Sequence, residues 1–304
     1  MDHVRPASGT LFGVPDAVAS ASADVLVLGV PYDIATDPYR TGSREGPEHV
    51  RVRSARTRPA LVDVPDGAVL DRLTVADAGD VELTPGRPDT AFPRIQAAVA
   101  AILDRGAVPL TIGGDGAVTL PQLRAAAAAH GPLTVVHLDA HTDAYPGDAA
   151  EPYTNATTFA RAVEEGVVDP ASSTHAGIRG TTSFPGAVGY ARDLGYAVTT
   201  MPELRRTGIE PTAHAARTRA GDRPVYLCWD MDVFDPAVAP GVCTPEWGGL
   251  TAAEGIELAR ALTGLNIIAI DVNTVLPNHD PYGQTGDLAA RILLELLHLL
   301  TPNP

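Results

Sequence analysis

The feature that most limits how this chain can fold is an alternation that runs its whole length. A short apolar run is followed by a longer helix-like stretch, and then by another apolar run. The apolar runs are Val25–Gly29, Thr74–Ala78, Val108–Ile112, Thr134–Asp139, His175–Arg179, Ala197–Thr200, Val225–Asp230 and Ile267–Val272. Many are apolar throughout rather than at every second position, as expected of strands buried on both faces. The stretches that read as helices are Pro47–Ala55, Ala91–Leu103, Leu120–His130, Thr157–Glu165, Phe184–Leu194, Pro211–Ala220, Ala252–Thr263 and Leu288–Leu299. This order predicts an α/β fold, a parallel sheet with helices on both faces. No repeat or long linker divides the 304 residues, so 1–304 reads as a single domain, and 45% hydrophobic residues supply its core.

In an open parallel sheet, ligands bind beyond the carboxyl ends of the strands. Two such ends are rich in carboxylates. "VVHLDAHTDAY" carries Asp139, His141 and Asp143, and "YLCWDMDVFDPAVAPG" carries Asp230, Asp232 and Asp235. A spacing of two along an extended chain sets side chains on one side. Either cluster alone reads equally well as caps and turn formers. Together they would crowd about five anionic or imidazole groups, an arrangement that is costly to bury without cations. Oxygen-rich ligands with one histidine suit Mn²⁺ better than a sulfur-rich zinc site. A carboxylate shared by two ions implies a two-metal hydrolytic centre.

Composition narrows the partners. The net charge of −15 disfavours nucleic acid and suits a cationic substrate, although acidic surfaces also serve solubility. All 22 basic residues are arginine, which removes lysine Schiff-base and phosphate-loop lysine chemistry. The two cysteines, Cys228 and Cys243, do not form a short zinc-ligand pair or a disulfide framework, so a reducing, cytoplasmic home is expected. No apolar run of about 18 residues predicts a membrane span, and the first residues lack a secretory pattern.

The motifs, in order, resemble those of the ureohydrolases, the arginase and agmatinase family. They are "GVPYD" with "YRTGSREGPEHVR" (Gly29 to Arg51), "DAGD" (Asp77 to Asp80), "GGD" (Gly113 to Asp115), "DAHTD" (Asp139 to Asp143), "GIRG" (Gly177 to Gly180) and "DMDVFDPAVAPG" with "TPEWGGLT" (Asp230 to Thr251). The last segment and "TFARAVEEG" (Thr158 to Gly166) are similar to the agmatinase branch. The resemblance implies a three-layer arginase-like fold around a parallel eight-stranded sheet. It implies hydrolysis of a guanidino group to urea and an amine by a dimanganese centre. Asp139 and Asp230 would bridge two Mn²⁺ ions, Asp143 would add to the first, and His141 and Asp232 would complete the second. A hydroxide between the ions would attack the guanidino carbon. Thr244 and Glu246 match positions near the substrate, a small cationic or neutral guanidino compound. A homo-oligomer is in keeping with the relatives.

Four positions depart from the family pattern. Gly116 stands where a histidine ligates the first metal, which predicts a weakened site with an open position. Asn155 stands in place of a loop histidine that assists the substrate or a proton. Asp271 stands in place of a glutamate that pairs with the guanidinium. Cys228 and Cys243 together replace small residues beside the site. Asp143, Asp271 and Asn155 are read as the catalytic set, and Thr244, Glu246 and Asp271 as substrate contacts. His137 reads as an ordinary strand residue, and His175 and His279 as structural or surface residues. Three functions fit. One is a hydrolase of an N-hydroxyguanidine such as N-hydroxyarginine, giving hydroxyurea and an amine such as ornithine, as in antibiotic biosynthesis. The second is an ordinary agmatinase or guanidinobutyrase. The third is a non-catalytic binding protein with a degraded first site. The loop between Ala144 and Thr154 is expected to set specificity.

Overall fold

The computed structural model describes all residues except 18–21, 35–38, 65–67, 149 and 302–304. Part of the Gly29–Arg51 motif, residue 149 of the specificity loop and the last three residues of the 1–304 domain therefore lie outside the described residues.

Among the described residues, nine strands form one sheet: β1 (Val4–Arg5), β2 (Val25–Gly29), β3 (Val75–Val81), β4 (Val108–Ile112), β5 (Thr134–Leu138), β6 (Thr174–Ile178), β7 (Ala197–Thr200), β8 (Val225–Asp230) and β9 (Ile267–Asn273). Their order is β1-β3-β2-β4-β9-β8-β5-β6-β7. The eight strands read from sequence run parallel, as the resemblance implied. To them the structure adds β1, which pairs antiparallel with β3 through Val4–Val81 and Arg5–Asp80. Two residues are too few to leave a periodic signal in the sequence.

Ten helices flank the sheet among the described residues: α1 (Gly46–Ser54), α2 (Val69–Arg72), α3 (Pro88–Leu103), α4 (Thr119–His130), α5 (Thr158–Glu164), α6 (Ala187–Asp193), α7 (Met201–Thr207), α8 (Ile209–Ala220), α9 (Ala252–Ala261) and α10 (Gln284–Leu299). Alternate residues of one strand enter different cores. Val25, Val27, Leu227 and Trp229 pack with α1, α2 and α7 to α10. Leu26, Leu28, Tyr226 and Cys228 pack with α3 to α6. This two-sided burial is the physical reason the strands read as unbroken apolar runs, and it gives the three layers.

The crossover after β4 matters most for function. The chain leaves β4, passes through α4 and enters the sheet again at β5, three strand positions away; β9 and β8 later fill the gap. β5 and β8 thus lie side by side, with Leu138 opposite Trp229. Their carboxyl ends bring the two aspartate clusters together.

Candidate metal centre and active site

Asp139 directly follows β5, Asp230 closes β8, and both are almost fully buried. The turns beyond them are built by the carboxylates themselves. Asp139 Oδ1 accepts from the His141 backbone N–H at 2.6 Å, and Asp230 Oδ1 accepts from the Asp232 N–H at 2.7 Å. Asp232 Oδ1 crosses between strands and accepts from the Ala140 N–H at 3.0 Å. His141 Nδ1 lies 3.2 Å from Asp139 and 3.1 Å from Asp232. The D-x-H-x-D and D-x-D spacings are therefore loop geometry as well as ligand geometry.

Two residues reach the site through left-handed backbone. Asp143 has φ 44°, which a short polar side chain tolerates. Thr274, just beyond β9, has φ 67°, unusual for a β-branched residue, and its hydroxyl donates to Asp230 Oδ1. Thr274 was missed in the sequence; the only signal was its place at the end of a strand beside the site. Arg179, in "GIRG", was also missed as a supporting residue. Its Nη2 donates to the carbonyls of Asp232 at 2.7 Å, Glu246 at 2.8 Å and Phe234 at 3.0 Å, tying the two substrate-side loops together.

The electrostatics ask for cations. Burial first, then the charge of Asp232, pushes the Asp139 carboxyl up to about 8. Burial, then Asp139, holds Asp143 well above the carboxylate range; burial, then Asp232, does the same to Asp230. Burial opposes charge on His141 and Asp232, but their attraction prevails: His141 is held well above its usual value and Asp232 down at about 2. Without metal, burial and mutual repulsion favour the neutral forms of Asp139, Asp143 and Asp230. Oxygen donors and one imidazole, all drawn inward, fit divalent cations that would take the place of the protons on those carboxyls. Ligand atoms of Asp139, His141 and Asp232 lie within 4.8 Å of one another.

The "GGD" turn closes one wall. Gly114 lies against Tyr32, where a Cβ would overlap the Tyr32 carbonyl oxygen, so only glycine fits. Asp115 accepts from the Ile34 N–H at 2.7 Å and the Ala117 N–H at 3.1 Å, and begins the turn into α4. A Cβ at Gly116 would lie 2.9 Å from Asp143 Oδ2 and 3.5 Å from the Asn155 Cβ. The missing side chain would therefore have pointed at the cluster, and Gly116, Asn155 and Asp143 form one corner.

Two expected contacts separate from that corner. Asp271 is fully buried on the α4 side of the sheet, where its carboxylate accepts from Thr119 at 2.6 Å, Thr111 at 2.9 Å and Asn273 at 3.1 Å. Register explains its depth: Asn273 is the residue opposite Asp230, and Asp271 pairs with Cys228, two residues further in. Glu246 accepts from the Thr181 hydroxyl at 3.0 Å and N–H at 3.2 Å. Thr181 lines a cavity of about 400 Å³, with Ala140, Thr142, Tyr145, Ile178 and Ala187, beside the Asp139–Asp143 loop. Thr244 is half-buried two residues before Glu246. Both cysteines are buried and free; Cys228 Sγ is 3.9 Å from Asp271, and Cys243 Sγ is 3.7 Å from the Thr274 carbonyl. His279 sits in a loop turn, as expected, next to Asn278. His137, read as an ordinary strand residue, instead contacts Asp139, with Nε2 2.9 Å from Oδ2.

Residues 23–299 match the Arginase family. The proclavaminate amidinohydrolase of Streptomyces clavuligerus is 39% identical, across 97% of this chain and 95% of its own length. A solved structure of proclavaminate amidino hydrolase from that organism superposes with a TM-score of 0.91, covering 96% of this chain and 97% of that one. The mitochondrial agmatinase of Gallus gallus is 37% identical, across 96% of this chain and 85% of its own.

Proposed function

Because this chain belongs to the arginase family and is one of its amidinohydrolases, we propose that it is a manganese-dependent enzyme that cleaves a C–N bond of a small N-hydroxyguanidino substrate, such as N-hydroxyarginine. The products are hydroxyurea and an amine such as ornithine. The observation that supports this reading is the corner of Gly116, Asp143 and Asn155, where a residue without a side chain stands beside a carboxylate of the cluster.

Asp139, His141, Asp143, Asp230 and Asp232 would hold two Mn²⁺ ions. When bound, such ions supply Lewis acidity that makes water a nucleophile near neutral pH. The chain's own residues do the rest. Asp143 is buried beside the open corner, where it can take a proton from water and return one to the leaving amine. Asn155 has no titratable proton and serves by hydrogen bonding the substrate. Glu246 accepts from Thr181, which lines the cavity, and would meet a cationic or polar tail there; Thr244 lies two residues before it. Asp271 is committed to Thr111, Thr119 and Asn273 and holds the floor. An N-hydroxyguanidine suits this arrangement, because its lower basicity reduces the need for a carboxylate partner and its extra oxygen can fill the corner.

A second reading, hydrolysis of an unmodified guanidine, is favoured by the Glu246 carboxylate beside the cavity-lining Thr181 and by similarity to agmatinase and guanidinobutyrase. The test is turnover of N-hydroxyarginine, arginine, agmatine and guanidinobutyrate by the Mn²⁺-loaded protein, with hydroxyurea and urea measured directly. Preference for N-hydroxyarginine is expected. Far better turnover of agmatine or arginine selects the second reading. We place the enzyme in the cytoplasm, working as a homo-oligomer; no helix among the described residues is long and apolar enough to cross a membrane.

A further inference from the structure

Position 116 offers the first ion no imidazole, but β5 offers one from below. His137 lies two residues before Asp139 on the same face of the strand and is buried. Ligand atoms of His137, Asp139 and Asp143 all lie within 4.8 Å of one another. That trio is as compact as Asp139, His141 and Asp232, and the two share only Asp139. The sharing is divided by oxygen: Oδ2 faces His137 Nε2 at 2.9 Å, whereas Oδ1 faces His141 Nδ1 at 3.2 Å. One carboxylate thus has a separate nitrogen-bearing position on each side.

The geometry points to His137 Nε2 as the nitrogen ligand of the first ion, beside Asp139 and Asp143, in place of the side chain that Gly116 lacks. This deepens the manganese reading above and rests on it. It replaces the expectation that this ion has carboxylate ligands and solvent alone. His137 approaches from the strand and not from the turn that carries Gly116.

The surroundings of His137 suit a ligand. An imidazole binds metal through a bare nitrogen, and Nε2 of this buried ring is the nitrogen that faces Asp139. A separation near 3 Å between Nε2 and Oδ2 is roughly that of neighbouring ligand atoms on one ion bonded at about 2.1 Å. A ligating histidine also needs a partner for its other ring nitrogen. Here Nδ1 meets His175 Nδ1 at 2.8 Å. Two such nitrogens bond only if one carries the proton and the other is bare. Without metal, His137 donates through Nε2 to Asp139 and accepts from His175 at Nδ1. With metal, Nε2 is bare, Nδ1 donates to His175, and the His175 proton sits on Nε2. Both arrangements carry the same two ring protons. His175 Nε2 is buried with no hydrogen-bond partner among the described residues, so no neighbour locks the pair into one tautomer. Phe159 and Tyr196 pack against the pair and keep it dry.

The competing role is that His137 only orients Asp139 by donating to it. Loss of affinity does not separate the two, since removing an outer partner also weakens metal binding by 10–100-fold. Counting nitrogens does. The full chain, labelled with ¹⁵N-histidine and loaded with Mn²⁺, is examined by pulsed electron–nuclear double resonance beside H137Q and H141Q. Two inequivalent histidine nitrogens are expected on manganese, one lost in each variant. In equilibrium dialysis, H137Q should bind one ion at least tenfold more weakly and the other unchanged. A single nitrogen in the unsubstituted protein, lost only in H141Q, overturns the assignment while leaving the manganese reading intact. Absence of bound manganese overturns both. If H137Q does not fold, the nitrogen count of the unsubstituted protein decides alone.

Discussion

At the scale of single residues, Gly116 and its neighbour Asp115 carry different information. In Gly116→His, the new Cβ begins 2.9 Å from Asp143 Oδ2, so Asp143 must give way slightly while the ring reaches the cluster. We expect at least tenfold tighter binding of the weaker Mn²⁺ and a lower preference for N-hydroxyarginine over arginine. Dialysis and competitive turnover measure both. Unchanged affinity would mean the open corner is not part of a metal site. Asp115 bears on stability. Burial raises its pKa to about 7 in the folded chain, against two backbone hydrogen bonds that lower it. A carboxyl whose folded value exceeds its unfolded one, about 3.9, favours the folded state most below the unfolded value, and that contribution is lost as pH rises through the folded one. The chelated protein should therefore lose stability between about pH 4 and 7, and Asp115→Asn should flatten part of that slope. Urea titrations across the range check it, and an identical slope in the variant refutes it.

At the scale of elements, α1 is fastened to β3 by a buried ion pair network. Arg51 donates to Asp77 at 2.9 Å from both Nε and Nη2, and to Asp80 at 2.5 Å from Nη1. "DAGD" is thus the acidic half of a structural clamp. Arg51→Ala leaves two buried carboxylates without their cation, for which the expected destabilisation is about 3–5 kcal/mol. Denaturant unfolding measures it; a loss below about 1 kcal/mol would mean the network is not needed. The sequence showed Asp77 and Asp80 as a motif but could not show that Arg51, on another element, lies between them. The same limit governs the rest. The eight parallel strands were legible because burial on both faces writes itself as unbroken apolar residues. β1 is too short to write anything. α7 was passed over although Thr200 and Glu203 form a capping box at its start. At the candidate site, Asp139, His141 and Asp143, and Asp230 and Asp232, could be singled out as two clusters because each motif is contiguous. The depth of Asp271 and the hydroxyl of Thr274 depend on register between strands, which no single segment records; the contact of His137 with Asp139 lies within one segment, at the same spacing of two, and was passed over.

At the scale of the whole molecule, the site opposes folding until it is filled. Carboxyls from two strands are gathered where burial and mutual repulsion favour their neutral forms. Cations that bind only the folded chain should stabilise it by mass action, by about 2.7 kcal/mol for a site at a hundred times its dissociation constant. For a domain of this size that is a rise in melting temperature of roughly 4 °C. Asp143→Asn separates this linkage from ordinary packing. Asparagine has nearly the shape of a neutral carboxyl, so the chelated variant should melt within a degree or two of the parent. With Mn²⁺ the parent should rise and the variant should rise much less, because one ligand of the first ion is gone. Calorimetric melts with chelator and at graded Mn²⁺ read both halves of this expectation. A variant already unstable under chelator would make Asp143 a packing residue, and one that keeps the full shift would remove it from the metal site.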